Sequence, residues 1–142
     1  MHGKTLKSFA ALCTVPFILV LSNSLLIPVL PQIQKALRLT LFQAGLIITA
    51  FSLTAGVIIP FAGYLSDRVG RKAVMVPALV VFGLGGVLAG IAASLTPRAF
   101  PWILAGRVLQ GIGGGGTYQL AMALAGDMFT DHERSKALGY LE

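Results

Sequence analysis

The sequence predicts an all-α fold, a polytopic transmembrane helical bundle, and three observations favour it. Of the 142 residues, 56% are hydrophobic and only 11% are charged, whereas a soluble domain carries about 25% charged residues. The mean hydropathy is +0.83. Charge-free runs of 27, 28, 25 and 19 residues follow one another along the chain, and about 20 apolar residues cross the membrane core as a helix. Because backbone groups in lipid must be hydrogen-bonded within their own segment, these runs are expected to be helices rather than strands.

The predicted spans cover residues 9–30, 41–65, 73–95 and 102–125. A signal peptide is the alternative for the first span, but its apolar stretch exceeds the roughly 7–15 residues of such a peptide and no small-x-small cleavage site follows. Helix-forming residues resume at about residue 136 and predict the start of a fifth span. Because the chain stops before that span is complete, we expect residues 1–142 to be a partial N-terminal transmembrane half, with C-terminal helices missing.

The lysines and arginines outside the spans are divided unequally between the two sides of the predicted membrane protein. Positive residues are retained on the cytoplasmic side, so the majority side is expected to be cytoplasmic, together with the N-terminus. The net charge of +6 is then explained by orientation and by attraction to anionic lipid, and a nucleic-acid partner is not expected. Seven basic residues lie on the N-terminal side and three on the other: Lys4, Lys7, Arg68, Arg71, Lys72, Arg134 and Lys136 against Lys35, Arg38 and Arg98.

The connection between the second and third spans gathers charge, because residues 63–72, GYLSDRVGRK, hold four of the sixteen charged side chains. Its two glycines suit a close helix approach and a backbone turn with positive φ. The basic residues lie at a helix start, which costs about 0.3–1 kcal/mol, but attraction to anionic lipid contributes about 1 kcal/mol each. Asp67 weakens the positive-inside signal, so we expect it to have a partner. The alternative is a solvated loop in which Asp67 pairs with a neighbouring arginine.

The fourth span carries a basic residue, Arg107, about five residues from the interfacial Trp102. Snorkelling of Arg107 to the outer interface is the simple explanation. A helical period, however, puts an amide, two glycines and a phenol on the same face as Arg107, and a polar face in lipid indicates a cavity or a partner helix. These residues are Gln110, Gly111, Gly114 and Tyr118.

Two further polar residues of the spans, Asn23 and Gln43, are candidates for lining the same cavity, with helix-to-helix hydrogen bonding as the alternative. The spacing of Gly111, Gly113 and Gly116 matches a dinucleotide-binding pattern, but that pattern functions only between a strand and a helix. Close helix packing is the better explanation here. The same explanation applies to three glycines of the third span, Gly83, Gly86 and Gly90.

Neither an enzyme nor a cofactor is predicted. The two histidines, His2 and His132, lie in a tail and a loop without a nucleophile nearby in the sequence. One cysteine and two distant histidines do not match a metal-ligand pattern. Cys13 is interpreted as a small apolar helix residue.

The stretch GYLSDRVGRK resembles motif A of the major facilitator superfamily, the loop between helices two and three. Met75 replaces a usual leucine just after it. In that family the acid and the arginine hold the cytoplasmic ends of the two six-helix halves together, so the resemblance implies a gating role for Asp67. The matching residues are Gly63, Leu65, Asp67, Arg68, Gly70, Arg71 and Lys72.

Three other stretches are similar to the same family. LSNSLLIPVLP, residues 21–31, resembles the end of helix one in twelve-helix drug–proton antiporters, with Ser22 in place of glycine. RVLQGIGGGG, residues 107–116, resembles motif B of helix four, which implies that Arg107, Gln110 and Gly111 take part in the transport pathway or in proton coupling. Asp127 and Arg134 look like an acid–base pair that joins Asp67 and Arg71 in a cytoplasmic charge network.

The resemblance implies a secondary active transporter, a proton-coupled exporter of drugs or other small molecules that works by alternating access in the cell membrane. Its partners would be the lipid bilayer, a small-molecule substrate, protons and the missing C-terminal helices. Since no Asp or Glu lies inside the four spans, either the proton-carrying acid is in the missing part or Asp67 and Arg107 take a larger role than is usual in the family. The alternative is a self-contained four-helix membrane protein, acting as a small dimeric exporter or an assembly factor. An exporter of a sugar, a metabolite or a siderophore from the same superfamily is a further alternative.

Overall fold

The computed structural model describes residues 3–95 and 98–128 and contains five helices there. They are α1 (Gly3–Ala36), α2 (Leu41–Val69), α3 (Arg71–Leu95), α4 (Phe100–Gly114) and α5 (Thr117–Met128). The predicted all-α class is confirmed, because the described residues form helices joined by short turns and include no strand. Three segments of the described part are long and apolar enough to cross a membrane: Leu12–Ala36, Leu41–Val69 and Arg71–Leu95.

The predicted fourth span differs from the structure, because it is divided between α4 and α5 at a turn formed by Gly115 and Gly116. Gly116 has a φ of +80°, a conformation that glycine adopts without steric cost. Across the turn the Thr117 hydroxyl donates to the Gly113 carbonyl oxygen. The fifth span predicted from about residue 136 lies outside the described residues.

Two short connections define the opposite ends of the bundle. At one end, the Thr40 end, Thr40 caps α2: its hydroxyl accepts from the Gln43 backbone N–H at 3.2 Å, and the Gln43 side chain accepts from the Thr40 backbone N–H at 3.0 Å. This reciprocal arrangement is a capping box, which satisfies two otherwise free donors. At the other end, the Gly70 end, a single residue separates α2 from α3. The N-terminal end of α4, beginning after Ala99, lies at the Thr40 end, so α2 and α4 run in the same direction.

Small residues allow α4 to lie close to α2 and α3. A Cβ atom added at Gly85 would lie 2.7 Å from the Gly106 carbonyl oxygen, and one added at Gly106 would lie 2.6 Å from the Gly85 carbonyl oxygen. These two glycines therefore bring the backbones of α3 and α4 into direct contact. Gly113 contacts the α3 backbone in the same way, at Ala78 and Phe82. Without a hydrophobic driving force between helices in lipid, such close approach supplies much of the association.

Apolar residues fill the bundle in two clusters, while most large apolar side chains face outward toward the surrounding lipid. The first cluster joins α1, α2, α3 and α5 through Leu12, Val15, Leu19, Ala62, Met75, Phe82, Leu120 and Ala121. The second, near the Thr40 end, is formed by Ile47, Ala99 and Ile103. The turn after α1 packs on this second cluster through Leu37 and Leu39, so it closes the Thr40 end of the bundle.

Candidate functional site

The charged stretch 63–72 is almost entirely helical. Residues 63–69 form the last two turns of α2, and Arg71 begins α3. Between them Gly70 has a φ of +104° and donates its N–H to the Ser66 carbonyl oxygen at 2.9 Å. A side chain at this φ would be strained, which explains the glycine. Gly63, in contrast, has no neighbour within 4 Å of a Cβ added there, so no close helix approach explains it within the described residues.

An ion pair joins two helices at the Gly70 end. An Arg71 guanidinium nitrogen lies 2.5 Å from a carboxylate oxygen of Asp127, and their side chains are 32% and 55% exposed. The pair connects the first turn of α3 to the last turn of α5, which are distant in sequence. Arg134, which was predicted to join this network, lies outside the described residues.

Asp67 is exposed and has no hydrogen bond or ion pair within residues 3–95 and 98–128. The partner that we expected for it is therefore not supplied by Arg71, which binds Asp127, nor by Arg68. The Arg68 guanidinium instead lies over the Tyr64 ring, 4.6 Å from its centroid, in cation–π geometry. Lys72 is also exposed. The carboxylate of Asp67 is thus open to a partner outside the described part.

Arg107 lies within the bundle with only 7% of its surface exposed, and Gln110 is 6% exposed. No hydrogen bond or ion pair joins the Arg107 guanidinium to another described residue. Since no fully buried side-chain nitrogen among these residues lacks a partner, the guanidinium nitrogens keep some exposed surface. A cation within a membrane helix that has no ionic partner is costly in hydrocarbon, which makes Arg107 the strongest candidate for a functional side chain in the described helices.

The residues predicted to share a face with Arg107 point toward different neighbours. A Cβ added at Gly111 would lie 2.7 Å from the Thr54 Cβ of α2. Gln110 instead faces α3, where its amide nitrogen lies 3.0 Å from the position of a Gly86 Cβ. Helical spacing predicted one shared face for these residues. In the structure, the small side chains of α4 let it contact α2 and α3 at once, so the residues lie against two different helices.

A cleft of about 280 Å³ opens between α1, α2 and the turn joining α4 to α5. The structure places Asn23 and Tyr118 on its wall, beside Phe51, Ala55 and Gly115. Gln43, the third residue predicted to line a cavity, lies instead in the capping box at the Thr40 end.

Sequence reasoning missed several residues that the structure brings into the site or its supports. Ser24 and Gln119 also line the cleft, and each is adjacent to a residue that the sequence had singled out. The capping box has a recognisable pattern, Thr40 followed three residues later by Gln43. The Gly85–Gly106 contact had no such signal, and Gly83 and Gly90, which were predicted to pack, have no neighbour within 4 Å of an added Cβ.

Comparison with known proteins gives matches along nearly the whole chain. The family model described as "Major Facilitator Superfamily" matches residues 12–142. The chain is 48% identical over 139 residues to "Bacillibactin exporter" of Bacillus subtilis, covering 96% of the chain and 35% of that protein. It is 31% identical over 133 residues to "Multidrug resistance protein 2" of the same organism, covering 94% and 32%.

A further relative is "Quinolone resistance protein NorA" of Staphylococcus aureus, 30% identical over 125 residues, which are 88% of the chain and 31% of that protein. The chain thus spans about a third of the length of these curated relatives.

Proposed function

Since the chain belongs to the Major Facilitator Superfamily, we propose that it forms part of a secondary transporter that exports small molecules in exchange for protons. Export would proceed by alternating access, in which two halves of the protein rock around a site near the middle of the membrane. The helices described above would contribute one side of that site and one side of the moving contact. The protein would lie in the plasma membrane as a multi-pass protein with a cytoplasmic N-terminus.

The observation that carries this proposal is Arg107, a residue of α4 that is 7% exposed and has no ionic partner among the described residues. A cation inside a membrane helix costs about 2.5–3.5 kcal/mol at the bilayer centre on insertion scales and marks ion or substrate pathways. Because Arg107 has no ionic partner in the described part, a carboxylate elsewhere in the protein or on the substrate would complete it. Such a cation lowers the pKa of a nearby carboxyl group and so controls when the proton leaves.

The ion pair between Arg71 and Asp127 supports the moving part of the proposal. A partly exposed ion pair stabilises a protein by only about 0–1 kcal/mol. Breaking this pair during a transport cycle would therefore cost little free energy. Asp67 lies four residues before Arg71 and is unpaired within the described residues. Its carboxylate would bind the other half of the transporter when the Gly70 end closes. The carboxylate would therefore act in gating, as its resemblance to motif A implies.

The names of the relatives suggest which substrates to test first. The identity is higher with a protein named for bacillibactin export than with the one named for quinolone resistance. We therefore propose bacillibactin as the first substrate to test and a quinolone as the second.

The test uses the complete gene product in inside-out membrane vesicles. A proton gradient, acidic inside, should drive accumulation of bacillibactin in the vesicles, and a protonophore should abolish it. Vesicles from cells without the gene serve as the control. Accumulation that needs ATP and ignores the protonophore would overturn proton coupling, and absence of accumulation for both substrates would overturn the proposed export.

Orientation is tested with single cysteines at positions whose exposure is known. Leu41 at the Thr40 end is 80% exposed and Val69 at the Gly70 end is 62% exposed, and both lie at the ends of α2, where we expect cysteines to meet water. In a Cys13→Ala background, an impermeant thiol reagent added to intact cells should label Leu41→Cys and not Val69→Cys. The reverse pattern would place the N-terminus outside.

A further inference from the structure

The cleft between α1, α2 and the α4–α5 turn is lined by polar side chains that make no hydrogen bond to the described residues. Asn23, Ser24, Tyr118 and Gln119 all line it. None of the four has a hydrogen bond to another of the described residues. An amide or hydroxyl transferred to an apolar environment without a partner costs free energy on the order of 1–3 kcal/mol. Ser24 and Gln119 are exposed and Asn23 and Tyr118 are half-buried, and no fully buried side-chain N or O atom among the described residues lacks a partner. The four polar groups are therefore accessible from the cleft and free to bind a ligand.

Other polar side chains of the same helices behave differently. The hydroxyls of Thr49, Ser52, Ser66 and Ser94 each donate to a carbonyl oxygen three or four residues earlier in their own helix. This is the usual way in which a hydroxyl is tolerated in a membrane span. The side chains of the cleft make no such hydrogen bond within their own helix. Their hydrogen-bonding capacity remains available to a ligand.

The lining of the cleft defines the chemistry of such a ligand. It contains two amides, two hydroxyls and apolar side chains including the Phe51 ring, and none of its residues is charged. The amides offer both donors and acceptors, so they complement a neutral group that also does both. A negative or positive group would enter without a counter-charge and would lose its hydration.

The size of the cleft limits the portion of the ligand that enters. Its volume is about 280 Å³, whereas a cavity of roughly 150 Å³ holds benzene. One or two rings with their substituents therefore fit. Ligand pockets span roughly 300–1,000 Å³, so this cleft is the size of a subsite for part of a substrate.

We propose that this cleft is a subsite for an uncharged, ring-bearing part of the substrate that both donates and accepts hydrogen bonds, held by Asn23 and Tyr118. The inference rests on the export function proposed above, because it names the substrate chemistry of that transporter. An aryl amide or a phenol has the required groups. A carboxylate on the same ring does not.

The test measures binding of benzamide and benzoate to the complete gene product in lipid nanodiscs, by saturation-transfer NMR with empty nanodiscs as background. The two probes share ring and size, and only benzoate is charged at neutral pH. Benzamide should bind at least about tenfold more tightly than benzoate. Asn23→Leu and Tyr118→Phe should each weaken benzamide binding about two- to tenfold, which corresponds to the loss of one hydrogen bond.

Matched controls separate the cleft from general effects on the helices. Gln32→Leu removes an exposed amide from the same helix as Asn23, outside the cleft. Tyr64→Phe removes the hydroxyl from a ring outside the cleft, over which the Arg68 guanidinium lies. Both should leave benzamide binding unchanged. Equal binding of benzoate, or unchanged benzamide binding in both cleft variants, would overturn the subsite.

The subsite and the export function fail in different ways. If the wild type exports bacillibactin but neither cleft variant changes benzamide binding, only the subsite is overturned. Benzamide binding that follows the prediction, without export of any substrate, supports the subsite chemistry and overturns the export function. Tyr118→Phe preserves the ring, so it remains informative if Asn23→Leu fails to fold.

Discussion

Two arginines of this chain lie in contrasting environments. Arg71 is about one-third exposed and forms an ion pair with Asp127 across the Gly70 end. Arg107 is 7% exposed and has no ionic partner within the described helices. The more exposed arginine is thus the one with an ionic partner, and the less exposed arginine has none among the described residues.

Stability alone would favour the opposite arrangement, because a buried charge gains most from a partner and a surface pair gains little. This difference is consistent with the proposal that the two arginines serve different steps. Under the proposed mechanism, Arg71 acts where helices separate and rejoin, and Arg107 acts where a proton or a substrate charge arrives.

The largest expected effect follows from removing the buried charge. Arg107→Leu should insert normally yet lower proton-driven export at least about 100-fold, the contribution typical of a positioned proton-transfer group. Arg107→Lys keeps the charge but loses the planar fork of donors, so it should retain partial activity. Initial rates of bacillibactin accumulation in inside-out vesicles measure both variants.

Arg98→Leu is the matched control, because Arg98 is an exposed arginine at the Thr40 end. It should leave the export rate within about twofold, as expected for a surface substitution. Wild-type export by a well-expressed Arg107→Leu protein would show that Arg107 only anchors α4, and the contrast between the two arginines would then have no functional meaning.

A smaller effect is expected at Asp67, which tests whether the Gly70 end controls switching rather than binding. Asp67→Asn should lower export about tenfold or more, since a change of 1.4 kcal/mol between two states alters their ratio tenfold. Equilibrium binding of bacillibactin in detergent should stay within about threefold, because the exposed carboxylate lies at the end of α2, outside the cleft.

Transport and ligand affinity, measured on the same preparation, decide this point. A collapse of affinity in Asp67→Asn, with an unchanged balance of inward-open and outward-open states, would contradict the gating role.

The smallest effect is expected for the pair itself. A double-mutant cycle with Arg71→Gln and Asp127→Asn should give a coupling free energy of about 0.2–1 kcal/mol in the unfolding or export equilibrium, as for other exposed pairs. Raised salt should reduce this coupling, because exposed charges are screened. Lys72→Gln with Asp127→Asn serves as the control cycle and should show weaker coupling.

A coupling above about 2 kcal/mol would place the pair in the range of buried ion pairs. The ion pair would then hold the Gly70 end rigidly together. Arg71 would be a structural residue and would not act where helices separate and rejoin.

The sequence predicted the fold class and the family because both depend on local information, whereas the observed helices extend beyond the predicted spans, with α1 covering Gly3–Ala36 in place of residues 9–30. The charge-free runs mark α1, α2 and α3, and the matches to the Major Facilitator Superfamily confirm the resemblance found in the stretch 63–72. The break between α4 and α5 was not predicted, although it lies within a run of four consecutive glycines. Glycine permits a helix to stop but does not require it to do so.

The contacts of each helix face were harder to predict, because they depend on how the helices rotate against one another. Spacing placed Gln110 and Gly111 on one face, yet Gln110 reaches α3 and Gly111 reaches α2. In α3, Gly85 and the predicted Gly86 contact α4, whereas Gly83 and Gly90 do not, although all are similar in sequence context. Only the partner helix distinguishes them, and a single sequence does not contain that information.

The single residue between α2 and α3 has a mechanical consequence. With Gly70 alone as the connection, no slack is available between the two helices. Their relative angle changes mainly through the two backbone torsions of this residue. A displacement of the last turn of α2, which carries Asp67, is therefore transmitted directly to the first turn of α3, which holds Asp127 through Arg71. Contact made by one carboxylate at this end of the bundle would thus shift the position of the other, with Gly70 as the pivot.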